Sequence, residues 1–124
     1  MIVLDATDSL KAQLGGAVTT NELPIVASYV DVAAPDTYDP NSAHTLTTGA
    51  AAVTAVAAPT AGKRRQVKFL SVFNKDTVSA TVTRLFDRSA TSRELVKIAL
   101  AVSSTLVYTD GEGFRVINTA GAIQ

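Results

Sequence analysis

Hydrophobic and polar positions alternate along most of this chain with the two-residue period of a β-strand. Val78, Ala80 and Val82 alternate with Ser and Thr, which predicts a strand with one dry and one wet face. Residues 66–74 carry apolar side chains in both alternating sets and predict a strand that is buried on two sides. No window of twelve or more residues carries the 3.6-residue apolar stripe of an amphipathic helix. The pattern therefore predicts an all-β protein.

Turn signals separate the apolar runs at intervals of about 8–12 residues, as in β-sandwich proteins. Asp110-Gly111 is the strongest of these signals and predicts a type I′ hairpin turn. We expect residues 1–124 to form one antiparallel β-sandwich domain of jelly-roll type, with eight to ten short strands. The clearest predicted strands cover residues 2–5, 9–14, 23–32, 66–74, 77–86, 94–102, 106–108 and 114–117.

Two segments differ from this pattern. Residues 1–14 begin with Ile2, Val3 and Leu4, which offer too little apolar surface to order a free terminus. We therefore predict an N-terminal arm that pairs with the sheet edge of a neighbouring molecule. The alternative is that the same three residues form a strand of the protein's own sandwich. Residues 33–49 contain two prolines and many polar residues, which predicts a long irregular loop that contacts a partner.

Composition and charge indicate assembly. The chain has 11 basic and 11 acidic residues and a net charge of zero, so bulk charge does not favour nucleic acid or an anionic membrane. Charged residues make up 18% of the chain, below the roughly 25% that is usual. With so few surface charges, electrostatic repulsion between monomers is weak. We therefore expect a closed homo-oligomer, most simply a trimer. The N-terminus does not have a basic region followed by a long apolar run. We therefore expect no signal peptide and no membrane span.

Candidate catalytic chemistry is sparse. The chain has no cysteine, and His44 is its only histidine, without the nucleophile elbow that would favour a catalytic triad. Asp36 and Asp39 do not have the spacing of a calcium loop. Residues 111–113 (GEG) lack the third glycine of a dinucleotide fingerprint. We predict that the protein is not an enzyme and holds no cofactor or metal.

Eight residues are candidates for contact with a partner. Three lie in the predicted arm, two in the predicted loop, and three form the only basic cluster of the chain. The basic cluster suits an acidic partner, or alternatively a solvated strand start that protects a sheet edge, and it lacks the interleaved aromatics that stack on bases. The eight residues are Ile2, Val3, Leu4, Tyr38, His44, Lys63, Arg64 and Arg65.

Several stretches of the chain resemble small structural proteins of tailed bacteriophages. They are residues 15–24 (GGAVTTNELP), 27–31 (ASYVD), 65–68 (RQVK), 71–77 (SVFNKDT) and 106–116 (LVYTDGEGFRV). The match departs at residues 102–104 (VSS), where a turn with Pro or Gly is expected. The resemblance implies a virion protein with a β-sandwich or jelly-roll fold, located in the head or the tail.

The resulting hypothesis is a mechanical function. The protein would be a capsid decoration (cement) protein, made in the host cytoplasm and incorporated into the virion, where it bridges neighbouring subunits. Its partners would be copies of itself and the major capsid protein or another virion protein. The alternative is a tail-fibre or baseplate module that binds a host receptor or glycan through exposed aromatics such as Tyr38.

Overall fold

The computed structural model describes all 124 residues and contains ten β-strands and no helix. Val and Thr are frequent in these strands, because β-branched side chains fit a pleated surface well. The strands form two antiparallel sheets that pack against each other, so the predicted all-β sandwich is confirmed. The strands are β1 (Ile2–Leu4), β2 (Asp8–Leu14), β3 (Pro24–Ala33), β4 (Thr37–Leu46), β5 (Val53–Val56), β6 (Arg64–Phe73), β7 (Ala80–Arg88), β8 (Thr91–Leu100), β9 (Thr105–Thr109) and β10 (Gly113–Ile117).

The two sheets differ in size. The large sheet has the order β10-β9-β6-β3-β4, and β1 pairs with β6 in line with β9. The small sheet has the order β5-β2-β7-β8. Three hairpins, β3–β4, β7–β8 and β9–β10, stay within one sheet, and every other connection crosses to the opposite sheet. The core therefore depends on contacts between strands that are distant in sequence.

The core lies between the inner faces of the sheets and is divided into two clusters. Arg84 lies on the inner face of β7 between Val82 of the first cluster and Phe86, which packs on the second. The first cluster contains Ala12, Leu14, Leu23, Ile25, Ala55, Val72, Val82, Leu100, Leu106 and Val116. The second contains Leu4, Leu10, Ala27, Val56, Val67, Leu70 and Tyr108.

The expected N-terminal arm over residues 1–14 is wrong, and its alternative, an internal strand, is correct. Leu4 is 0% exposed and belongs to the core. Strand β1 pairs with β6 through Ile2 opposite Val67 and Leu4 opposite Arg65. Strand β2 is a central strand of the small sheet. The prediction of an arm follows from the small apolar surface of residues 2–4 alone. The contacts that order these residues come from β6, some sixty residues away in sequence.

The expected loop over residues 33–49 is also wrong. Strand β4 occupies most of it and pairs with β3 over ten residue pairs, after a three-residue turn that contains a cis Ala34–Pro35 peptide. Pro40 lies opposite Val30 within this strand. Since proline has no N–H, it is tolerated in a strand at a sheet edge with its nitrogen on the free side. Strand β4 is such an edge strand, so its prolines and polar residues do not prevent pairing.

The predicted hairpin at Asp110-Gly111 is present, but its turn type differs from the prediction. The Glu112 N–H donates to the Thr109 carbonyl at 3.0 Å and closes the turn. Only Gly111 of the two central residues has a positive φ, +87°, as in a type II turn, whereas type I′ requires positive values at both. The glycine is therefore required at the second central position only.

Candidate contact surfaces

The outer face of the large sheet carries many apolar side chains. Directly opposed residues in antiparallel strands share a face, so the strand registers define which residues point outward. Val30 and Val107 are buried but belong to neither core cluster, which agrees with their place on this outer side. We call this surface the apolar face and define it by Val3, Val26, Val30, Val32, Tyr38, Leu46, Phe69, Phe73, Val107 and Ile117.

Rows of paired residues cross this face from edge to edge. The central row runs from Ser42 through Ser28 to Phe69 on β4, β3 and β6. It continues to Thr109 on β9 and Gly113 on β10. None of these side chains is charged. Lys68, the bulge residue of β6 next to Phe69, is partly exposed beside this row and forms an ion pair with Asp110 at 3.2 Å.

Three ionisable groups lie at the margins of the apolar face. Arg64 lies at the start of β6, in the row of Tyr38. Arg115 lies on the edge strand β10 and forms an ion pair with Glu112. His44 lies on the edge strand β4 and is exposed. No carboxylate occupies the paired outward positions of this sheet, and of the two marginal arginines only Arg115 has an acidic partner.

The outer face of the small sheet is different in kind. Lys11 and Asp87 form an ion pair there at 2.6 Å. The paired outward positions are mostly hydroxyl, amide or charged side chains, as expected for a sheet face in contact with water. They include Ser9, Lys11, Gln13, Thr54, Thr81, Thr83, Asp87 and Lys97. The two outer faces of the sandwich therefore differ strongly in polarity.

Four of the eight predicted contact residues, which come from three separate segments, lie on the outer side of the large sheet. They are Val3, Tyr38, His44 and Arg64. Tyr38 is the most open of them, with 69% of its surface exposed. Of the remaining four, Ile2 and Leu4 pack on the core, and Leu4 cannot contact a partner because it is fully buried. Lys63 precedes β6 and is partly buried.

Arg65 is engaged inside the molecule, so the basic cluster is divided. Its guanidinium donates to both carboxylate oxygens of Asp31, at 2.7 and 2.9 Å, and to the Ala57 carbonyl at 2.8 Å. It also lies 4.0 Å from the ring centre of Tyr29. The hydrogen bonds from Arg65 lower the pKa of Asp31 against the opposing effect of burial. Arg65 thus joins the large sheet to the chain beyond β5 and is not free for a partner.

The outward aromatic residues of β6 are contact candidates that local sequence pattern does not single out. Residues 66–74 carry apolar side chains on both alternating sets, and two-sided burial was predicted from that pattern. In the structure, Leu70 and Val72 face the core, whereas Phe69 and Phe73 face outward. Phe73 is 38% exposed. A strand with two apolar faces was the available signal, and one of its faces has no cover within the chain.

No group of three or more His, Asp or Glu residues is placed to hold a metal ion. The fold contains no helix that is long and apolar enough to cross a membrane. No protein-family model, curated protein or solved structure matches this chain.

Proposed function

We propose that this chain is a structural component of a tailed-phage virion, a capsid decoration protein that acts by burying surface in an assembly. The proposal rests on the contrast between the two outer faces of the sandwich. Soluble antiparallel sheets commonly present a polar outer face to water, and only the small sheet does so here. Contiguous apolar surface that stays exposed on a soluble chain marks an interaction site.

The neutral composition supports a mechanical function. Interface cores are depleted in charge and enriched in aromatic residues relative to the remaining surface. The apolar face has this character, with Phe69 and Phe73 near uncharged rows and Arg64 and Arg115 at its margin. Such a surface contributes free energy by burial, which is what a protein that reinforces a shell needs.

Localisation in particles tests this proposal. Antibody raised against the purified chain and labelled with gold should decorate the heads of phage particles released by the strain that carries the gene. A decoration protein should also be present in many copies per particle, which quantitative mass spectrometry of purified virions measures. Absence of the chain from purified virions would overturn the proposal.

A tail-fibre or baseplate module is the second candidate, and Tyr38 is the observation that favours it. This side chain is highly exposed near the β3–β4 turn, and tyrosine is enriched at binding interfaces. Gold label on the tail tip with few copies per particle would support this candidate. If the chain is a tail protein, Tyr38→Ala should reduce adsorption of particles to host cells. If it is a head protein, the same substitution should leave adsorption unchanged.

A further inference from the structure

We propose that the apolar face is covered by the same face of a second copy of this chain, so that two sandwiches pack sheet on sheet. This inference rests on the proposed assembly role and names the partner of its main surface. A second copy is favoured by three properties of the face: the position of its charges, its area and its shape.

The charges permit self-association. Two identical surfaces bring like charges together wherever a charged residue lies near the centre of contact, and an unpaired buried charge is costly. Here the central row from Ser42 to Gly113 is uncharged, and Lys68 beside it is already paired with Asp110 of the same chain at 3.2 Å. Arg64 and Arg115 lie at the margin, where water can solvate them. A surface adapted to an acidic partner would instead place such basic groups within the contact.

The area is that of a stable interface. Strands β3, β4 and β6 have ten residues each, which corresponds to a length of about 33 Å at the usual rise per residue. Five strands side by side, about 4.8 Å apart and partly shorter, give a face of roughly 700 Å². A standard protein–protein interface buries about 800 Å² on each partner. One copy of the apolar face is therefore large enough to hold a dimer.

The shape suits sheet packing. Two sheets that pack face to face lie about 10 Å apart, with side chains from both interdigitating between them. The apolar face offers large side chains, Phe69 and Phe73, beside smaller ones, Val26 and Val107. When two copies bind through the same face, the interface has two-fold symmetry and assembly through this face stops at a dimer. The proposal thus favours a two-fold unit over the trimer expected from composition.

A pair of matched surface variants tests the dimer. Phe73 on the apolar face is 38% exposed, and Leu95 on strand β8 of the small sheet is 41% exposed. Phe73→Lys should raise the dimer Kd by about 30-fold or more, as for a hot-spot residue. Leu95→Lys should leave the Kd unchanged. Sedimentation velocity over a concentration series measures the Kd of both variants. The unmodified chain should sediment as a dimer, with twice the 12.9 kDa mass of one chain.

Cysteine cross-linking gives a second test that does not depend on removing a large side chain. The chain has no cysteine, so Ser28→Cys at the centre of the apolar face and Thr83→Cys on the outer face of the small sheet each introduce a single thiol. Both positions are partly exposed. A bis-maleimide that spans about 10 Å, the distance between packed sheets, should give covalent dimers of Ser28→Cys and none of Thr83→Cys.

Three outcomes would overturn this inference: an unmodified chain that stays monomeric at all concentrations, an oligomer that is unaffected by Phe73→Lys, or equal cross-linking of the two cysteine variants. These outcomes are separate from those of the virion experiment. A monomer found in virions would refute the dimer alone, whereas a dimer absent from virions would refute only the proposed function.

Discussion

At the residue scale, two arginines point into the sandwich and differ in their partners. Arg65 is neutralised by Asp31. Arg84 is 1% exposed, and none of its guanidinium nitrogens has a hydrogen-bond partner. Burial lowers the pKa of Arg84 to about 10, so the side chain remains charged at neutral pH. Its position interrupts the core between the two hydrophobic clusters.

Removal of this unpaired charge should stabilise the protein. Replacement of buried charged groups by apolar residues of similar volume is often neutral or stabilising by 1–4 kcal/mol, and we expect Arg84→Met to raise the free energy of unfolding by about 2 kcal/mol. Arg65→Met should lower it by roughly 3–5 kcal/mol, because Asp31 would be left buried and unpaired. Urea unfolding at pH 7 measures both, and a loss of stability in Arg84→Met would contradict the first expectation.

Asp76 contrasts with Arg84, because its buried carboxylate accepts several backbone hydrogen bonds. The backbone N–H groups of Thr19, Thr20 and Asn21 donate to it at 2.8, 2.8 and 3.2 Å, and that of Thr77 at 2.8 Å. These hydrogen bonds, the one from Thr19 first, lower its pKa to about 2. Asp76 thereby fastens the connection between β2 and β3 to the loop that follows β6.

A lowered folded-state pKa makes this contribution depend on pH in a defined direction. The unfolded carboxyl titrates near 3.9, so the stabilisation by Asp76 is complete above that pH and is lost as the pH falls towards about 2. Asp76→Asn should therefore melt at a lower temperature than the unmodified chain at pH 7, and the difference should shrink at pH 2.5. A difference in melting temperature that is equal at both pH values would exclude this role for the carboxylate.

Sequence periodicity could place Arg84 but not its environment. The alternation of Val78, Ala80 and Val82 continues to Arg84, so the pattern itself puts this arginine on the dry face of the strand. Whether a carboxylate lies opposite depends on residues of other strands. The same applies to Asp76, because three of its four backbone donors are 55 to 57 residues away in sequence. Side-chain partners of this kind require knowledge of the pairing.

At the scale of elements, β1 shows what a three-residue strand contributes. Leu4 is buried against the second core cluster, whereas the adjacent Val3 lies on the outer side of the sheet. Leu4→Ala should lower the free energy of unfolding by about 2–5 kcal/mol, as is typical for buried leucines. Val3→Ala should cost clearly less in the monomer. Chemical denaturation at low protein concentration compares the two, and equal losses would mean that β1 does not dock as described.

The elements that the sequence predicted well are those defined by local pattern. The β9–β10 hairpin follows from Asp110-Gly111 between two apolar runs. The strand around Val82 follows from period two, and the strand around Val72 follows from apolar side chains in both alternating sets. Strand β4 was missed because its residues are polar and include Pro40, a composition that also describes loops. An edge strand that is exposed on both faces has almost no hydrophobic pattern, so pairing with β3 is what defines it.

At the scale of the whole molecule, the alternation of residues predicts that a strand has two different faces but not which faces are covered. Phe69 and Leu70 are adjacent apolar residues, but Phe69 faces outward and Leu70 faces the core. The asymmetry between the outer faces of the two sheets arises only when ten strands are combined in their registers. For the same reason, the contact residues predicted from three segments could not be recognised as one surface.

Association through a neutral face should respond weakly to salt. The chain has no net charge, the central row of the apolar face is uncharged, and Lys68 beside this row is paired with Asp110 within the chain. We expect the dimer Kd to change by less than about threefold between roughly 0.05 M and 0.5 M NaCl, because only charge–charge interactions are screened over this range. Sedimentation equilibrium measures the Kd at both salt concentrations. A strong weakening at high salt would indicate that contacts of Arg64 or Arg115 dominate instead.

Pro40 in the middle of β4 has a consequence for the way such a protein can accumulate. An open strand edge invites other chains to add strand upon strand, and this head-to-tail growth has no natural end. A proline in an edge strand turns its nitrogen, which has no hydrogen, to the free side, so a strand that adds to β4 would lose a hydrogen bond at Pro40. Growth into fibres through this edge is thereby discouraged.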